Sequence, residues 1–493
     1  MKSNIFICTL IFCLVIIGAL ILKIVMPFDG IEFNGDSFRY YLSSMNVYKS
    51  IQNFSFPEPA FWPYGFPLLV GILFQFIEPT FLHAQFVPIF TAAGLIILLY
   101  LILKNNYNFN SKDKIAAFLS LLSFYFCGFI LKYQLAIMAD LPALFWSGLL
   151  VFFLMKFLNQ NKLYLLILIS LSTSFAIATR YVYGLLIIPI LFSFWSTDKS
   201  MKIFLKLSFY FLVLTLIFLV PQLILNLKSM DSSFYHPWIQ NWNPLYFFVM
   251  DRTSVDGHLH VQIPNILFYL LSPFKMSEFN PFGLIIFGFG IFFAFKNKST
   301  VLSQIMIIWY IIFLLFLSGI PIQNPRFALS FYIPIFFFQF EFFRHILETK
   351  YMKIILIGSV FLLIIKMVFG IGFLRNTINE KNEMYLSGSN FLKSVKPNSL
   401  IITWDFYETY FIYFPNQKVE TIHGLTKEKA ELLFNQYSEV YLIFDEERLH
   451  TAWDKMPPEF MYNWLKQNYS FTLIREDKKY KVWKHSKMTD KIK

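Results

Sequence analysis

Asp36 and Asp140 are the carboxylates whose settings stand apart in this sequence. The first lies in NGDSFRYYLSSM, just after an apolar run, and the second in YQLAIMADLPALFW, just before one. Cations recur in similar settings: Arg39 beside Asp36, Lys132, Arg180 in ATRYVYG and Arg326 in IQNPRFALSFYIP. A carboxylate within reach of a hydroxyl can take its proton as general base. A guanidinium offers a charge-assisted fork to a phosphate. Tyr40, Tyr41, Trp62 and Tyr64 supply ring faces for a sugar or lipid, although interfacial belts use the same residues. Each residue also has a plainer reading. Asp36 or Ser37 caps a helix, Asp140 caps the helix that Pro142 opens, and the arginines and Lys132 are boundary side chains that snorkel to water. Jointly, two carboxylates and several cations among aromatics point to a cleft for an anionic, partly apolar substrate.

The elements that must position these groups are membrane helices. The chain has 493 residues, of which 57% are hydrophobic and 15% charged. A soluble protein of that size cannot hide so much apolar surface. Runs long enough for a bilayer core of roughly 30 Å recur up to Phe373 and then stop. The expected spans are 4–26, 81–103, 114–131, 141–158, 163–180, 184–196, 203–226, 280–295, 301–319, 328–345 and 353–373, about eleven in all. A shorter apolar piece, 65–77, ends at Glu78-Pro79 and lies at the interface or re-enters.

Residues 163–196 could form one helix, but at 1.5 Å per residue it would be about 50 Å long. Arg180 inside it would cost about 2.5–3.5 kcal/mol near the bilayer centre. A break at ATRYVYG removes both problems. With Met1 inside, the lysine-rich loops fall on the cytoplasmic side, and this dispersal accounts for the net charge of +12 better than nucleic-acid binding does. Asp36, Arg39, Lys132, Asp140, Arg180, Arg326 and the loops 27–64 and 227–279 then share the outer face. The first segment lacks a small-x-small cleavage site and reads as a retained anchor.

The expected domains are therefore 1–373, an all-α polytopic membrane domain, and 374–493, a small soluble α/β domain outside. Its segments alternate: NFLKSV helical, SLIITWD extended, TKEKAELLFNQYSEV helical, VYLIFDEE extended, PPEFMYNWLKQNY helical, then SFTLI and YKVWK extended. Asp445, Glu446 and Glu447 read as a solvated turn, and Trp404, Asp405 and Tyr407 as a strand end. Cys8, Cys13 and Cys127 all lie in apolar segments, which excludes a disulfide framework in the tail. His236, His258 and His260 share one loop, and DGHLH without a clear third ligand is a weak metal signal. No metal-ligand residues and no cofactor are assigned, while a divalent metal stays open.

The order GDSFRYY, WPYGFPLL, MADLPALFW, ATRYVYGLLIIP and NPRFALSFYIPIF resembles the GT-C membrane glycosyltransferases, including protein O-mannosyltransferases and the lipid A aminoarabinose transferase. The resemblance covers most of residues 1–373. It implies a GT-C fold and inverting transfer of a hexose or pentose from a polyprenyl-phosphate donor. The acceptor would be a lipid, glycan or protein hydroxyl at the outer face of the inner membrane. It places the catalytic base at Asp36 and the second acid at Asp140. Relatives often carry a basic residue where this chain has Trp62, Pro63 and Tyr64, so phosphate binding passes to Arg180 and Arg326. Arg39, Tyr40 and Tyr64 complete the expected substrate-binding set. A lipid-linked donor also fits the absence of a DxD motif and of a glycine-rich phosphate loop. An O-antigen polymerase or ligase, with chemistry in the loop 227–279, and a flippase of lipid-linked saccharides are the alternatives. A flippase would be expected to show internal repeats and mid-membrane charges.

Overall fold

The computed structural model describes residues 2–26, 36–58, 62–107, 109–197, 200–230, 242–254, 257–296, 300–349, 352–393, 395–396, 398–414, 416–477 and 479–486. The chain forms two compact units. The first comprises Met1–Ile31, Asp36–Phe248 and Ile263–Asn376, and the second is drawn chiefly from Val249–Gln262 and Thr377–Lys493.

Among the described residues of the chain, seven helices are long and apolar enough to cross a membrane: Ile7–Val25, Phe81–Asn106, Asp140–Gln160, Met201–Lys228, Val301–Ser318, Pro325–Ile346 and Ile357–Leu392. Shorter apolar helices cover Leu163–Thr179, Tyr181–Ser196, Asn265–Phe274 and Pro281–Lys296. The protein is thus a multi-pass membrane protein. Its helix ends follow local chemistry. Asn110 and Asp113 form a reciprocal capping box on Ser111–Tyr125. Asn161 takes a left-handed conformation, φ 49°, that ends Asp140–Gln160 and turns the chain into Leu163–Thr179. At Gly290 a Cβ would stand 1.9 Å from the Phe338 carbonyl oxygen, so only glycine lets Pro281–Lys296 approach Tyr332–Ile346 this closely.

One expected span is interrupted. Instead of running through 114–131, the helix from Ser111 ends at Tyr125, and Cys127 is extended before a new short helix, Gly128–Tyr133. The cause is polar pairing that an apolar reading does not register. Gly128 N donates to Ser277 O at 2.7 Å, and Phe129 N donates to the Glu278 carboxylate. A Cβ at Gly128 would sit 2.9 Å from Glu278 Oε1. The apolar piece after Tyr64 is a nine-residue helix, Gly65–Leu73.

The second unit holds a hairpin of β1 (Asp251–Ser254) and β2 (Gly257–His260) and a five-stranded sheet. The sheet contains β3 (Leu400–Thr403), β4 (Lys418–Thr421), β5 (Glu439–Asp445), β6 (Thr472–Asp477) and β7 (Tyr480–Ser486), in the order β4-β3-β5-β7-β6. β3 runs parallel to β4 and β5, whereas β7 is antiparallel to β5 and β6. Alternate residues serve opposite faces. Leu400, Ile402, Leu442 and Phe444 pack with Ala430, Leu433 and Phe434 of the helix Lys427–Gln436. Ile401, Tyr441 and Ile443 pack with Phe391 and with Phe406 and Tyr410 at the helix Tyr407–Tyr413.

Three elements depart from the expected tail. β4, with the sequence KVET, is an extra edge strand with one buried residue, too short and too charged to read as one. The helix Met352–Leu392 runs unbroken past Phe373, where the composition changes. The acidic run after β5 is a cap and an anchor. Asp445 Oδ1 accepts from Arg448 N at 3.1 Å to start the helix Glu446–Thr451. Glu446 accepts from Trp483 Nε1 at 2.8 Å and from the Tyr462 hydroxyl. Only Glu447 of the three is exposed.

Candidate functional site

Four charged side chains from four separate stretches of the first unit converge. Asp36 is the first residue of the helix Asp36–Gln52, where the dipole favours a carboxylate. Asp140 likewise opens Asp140–Gln160, but it does not cap: Ala139 stands at the N-cap and no side chain bonds there. Arg180 is extended between Leu163–Thr179 and the 3-10 turn Tyr181–Leu186. Arg326 sits in the 3-10 turn Pro325–Phe331, which Asn324 caps by accepting from Arg326 N at 3.0 Å. Tyr269 and Asn265 secure the approach to that turn. The Tyr269 hydroxyl donates to Ile322 O at 2.8 Å, and Asn265 Nδ2 donates to Ser318 O and Ile320 O.

Arg326 Nη2 donates to Asp36 Oδ2 at 2.8 Å, and its Nε lies 3.8 Å from Asp140 Oδ1. Arg180 donates to that same Asp140 oxygen. Asp140 Oδ2 is buried without a hydrogen-bond partner among the described residues. The Phe327 ring lies 5.7 Å from the Arg180 guanidinium and 5.5 Å from that of Arg326, a cation–π contact with each. A cleft of about 360 Å³, counted with the solvent at its mouth, is lined by Asp140, Arg180, Tyr183, Arg326, Phe327 and Ser330 among others. The carboxylates differ in access: the Asp36 side chain is 21% exposed and that of Asp140 only 3%.

The other expected site residues divide. Tyr40 joins the cluster: it is buried, stacks with Trp62 at 6.2 Å and meets the edge of Phe66 at 5.4 Å. Burial pushes its phenol well above the usual value, while Arg180, Asp36, Asp140 and Arg326 act on it in opposing senses. Tyr64 belongs to a different network. Its hydroxyl donates to Glu58 O, and its amide donates to Gln222 Oε1 at 2.8 Å, with Tyr181 and Asn226 bonded to the same glutamine. Arg39 is exposed and makes no ion pair among the described residues. Lys132 lies over the rings of Tyr133 and Phe373. The side chains of His258 and His260, and all of His236, fall outside the described residues. Among those described, no three His, Cys, Asp or Glu side chains gather as a metal site.

Sequence reasoning missed a supporting network. Glu278, 1% exposed, accepts from the Tyr332 hydroxyl at 2.7 Å, from Phe129 N at 3.2 Å and from the Ser277 hydroxyl at 3.2 Å. It thereby ties the segment leading to Asp140 to the helix that follows Arg326. Lys366, also 1% exposed, donates to Ser123 O and lies 3.2 Å from Cys127 Sγ. A lysine inside the apolar run 353–373 was the available signal, because an intramembrane charge needs a partner.

Neither a protein-family model nor a curated protein sequence matches the chain. Solved structures do. The crystal structure of ArnT from Cupriavidus metallidurans bound to undecaprenyl phosphate superimposes with a TM-score of 0.62 at 11% identity, covering 96% of this chain and 97% of that one. The fold is GT-C. ArnT in the apo state gives 0.59 at 11% identity over the same shares. The GT-C oligosaccharyltransferase of Archaeoglobus fulgidus, in complex with Zn and sulfate, gives 0.56 at 11% identity over 88% of this chain and 67% of that one.

Proposed function

We propose that this protein is a membrane glycosyltransferase that moves a sugar from a polyprenyl-phosphate donor to an acceptor hydroxyl at the outer face of the membrane. The observation that carries the reading is the Asp36–Arg326–Asp140–Arg180 cluster, set beside a cleft in a GT-C fold. The ArnT structure with undecaprenyl phosphate supports the donor class, and the lysine distribution supports the sidedness.

In this reading the acceptor oxygen attacks the anomeric carbon from the side opposite the phosphate. The new C–O bond forms as the C–O bond to phosphate breaks, and the electron pair leaves on the phosphate oxygen, so the anomeric centre inverts. Asp36, the more accessible carboxylate, takes the hydroxyl proton. Arg326 and Arg180 stabilise the charge growing on the departing phosphate, an interaction strongest in the transition state. Asp140 takes no proton; it holds the guanidiniums in place.

The test incubates membranes containing the protein with radiolabelled polyprenyl-phosphate sugars and follows label into lipid, glycan or protein products. Asp36→Asn should abolish transfer while the protein remains abundant and correctly inserted. Near wild-type turnover would return Asp36 to a helix-start role, and movement of labelled lipid without bond exchange would favour a flippase.

A further inference from the structure

Between the helix Val301–Ser318 and the turn that carries Arg326, residues 319–324 lie in neither helix nor strand. A helix end leaves its last carbonyls without intrahelical donors, and the chain beyond it has no ladder to join. Here the donors come from residues 242–269. Trp242 Nε1 donates to Phe316 O at 2.9 Å, and Asn243 N donates to Gly319 O at 2.8 Å. Asn265 Nδ2 serves Ser318 O at 3.0 Å and Ile320 O at 2.7 Å, and the Tyr269 hydroxyl serves Ile322 O. In return, Gln323 Nε2 donates to Ile263 O at 2.7 Å.

Trp242 stands apart from the other donors. Asn265 and Tyr269 are fully buried, whereas Trp242 is 38% exposed and held chiefly by its seat. Its indole lies against Gly319, where a Cβ would overlap it, so any other residue must push the ring aside. The next residue, Asn243, accepts from Leu245 N at 2.9 Å and starts the 3-10 turn Pro244–Phe247. The carbonyl that Trp242 holds belongs to Phe316, which with Leu317 lines the cleft beside Arg326.

We infer that Trp242 is a positioning residue for Arg326. The effect on rate rests on the transfer reading; the brace on the backbone does not. Arg326 must keep Asp36 at 2.8 Å and stand 3.8 Å from Asp140, from a turn whose approach has no sheet or helix to fix it. A displacement of about 1 Å in a positioned site is enough to cost rate. Trp242 removes that freedom where the helix ends, and Asn265 and Tyr269 remove it along the run that follows. These residues thus give hydrogen bonds to backbone, not groups to the reaction.

The test uses the full chain in lipid nanodiscs. Trp242→Phe keeps a ring and removes the donor, while Gly319→Ala dislodges the indole. Each should lower kcat for sugar transfer by about tenfold or more, with KM little changed and thermal midpoints close to wild type. In an Arg326→Lys background Trp242→Phe should cost little more, because residues that act through one group are not additive. A merely structural loss would add in full. Gly319→Ala should likewise cost nothing further once Trp242→Ala has removed the ring. Hydrogen exchange of the backbone amides in residues 317–327 should rise in Trp242→Phe, a readout that needs no donor. Unchanged exchange, full additivity with Arg326→Lys or a change confined to KM would each overturn the inference. Raised exchange in a protein whose wild type transfers no sugar would support the brace and sink the transfer reading alone.

Discussion

Arg326 donates to Asp36 at 2.8 Å across 290 residues of chain, joining the start of the helix Asp36–Gln52 to the last third of the membrane unit. The same guanidinium reaches toward Asp140 at 3.8 Å. A lysine in its place would keep the charge but present it at a single point. Arg326→Lys should lower the initial rate of sugar transfer by about 10²–10³-fold, the cost of losing one preorganised donor. A rate close to wild type would remove Arg326 from the reaction.

Asp140 makes a prediction about folding. It is buried against two guanidiniums, so Asp140→Asn leaves them without their shared anion. Breaking a buried pair from one side costs about 3–5 kcal/mol. Thermal unfolding in detergent should show a marked drop for Asp140→Asn and little change for the more exposed Asp36→Asn. The reverse order would exchange the roles assigned to the two acids.

Glu278 should act at a distance. It holds Phe129 and Tyr332, and so the spacing between the segments that carry Asp140 and Arg326. Glu278→Ala should lower kcat by about 10-fold or more, because small displacements in a positioned site are costly. Glu278→Gln, which retains an acceptor oxygen, should restore part of it with KM little changed. An equal loss in both variants would point to charge rather than position.

The five-stranded sheet should weaken in acid. Burial alone would raise Glu439, but Lys396, Tyr441 and Lys484 bond to it and hold it down at about 2, against an unperturbed 4.5. A carboxyl depressed in the folded state stabilises fully above its unfolded value and loses that contribution as pH falls through its folded one. The stability gap between wild type and Glu439→Gln should therefore close between about pH 4.5 and pH 2, read by limited proteolysis of the full chain. A gap independent of pH would show that Glu439 acts through shape alone.

The sequence made visible what depends on local pattern. Both carboxylates stand at helix starts, the chain breaks at Arg180, and the strands after Phe373 alternate. It hid what depends on distant partners. SFYFCGFILKY reads as one apolar run, yet Glu278 and Ser277, about 150 residues away, open it at Cys127. Tyr64 and Arg39 share a sequence neighbourhood with the cluster but not its contacts: Tyr64 bonds to Glu58 and Gln222, and Arg39, on the same helix as Asp36, is exposed. KVET carries only one buried side chain, and its pairing with β3 makes it a strand.

The four charges at the candidate site cancel: two carboxylates face two guanidiniums. Under the proposed reaction, an arriving phosphate enters by exchange, displacing Asp36 from Arg326 rather than adding to a vacant cation. The base is released only when the donor is seated, so water meets a neutralised carboxylate in the resting protein. Such a site would arm its base only in the presence of donor. Donor should accordingly bind Asp36→Asn more tightly than wild type, and equal binding would show that Asp36 and the phosphate do not compete for Arg326.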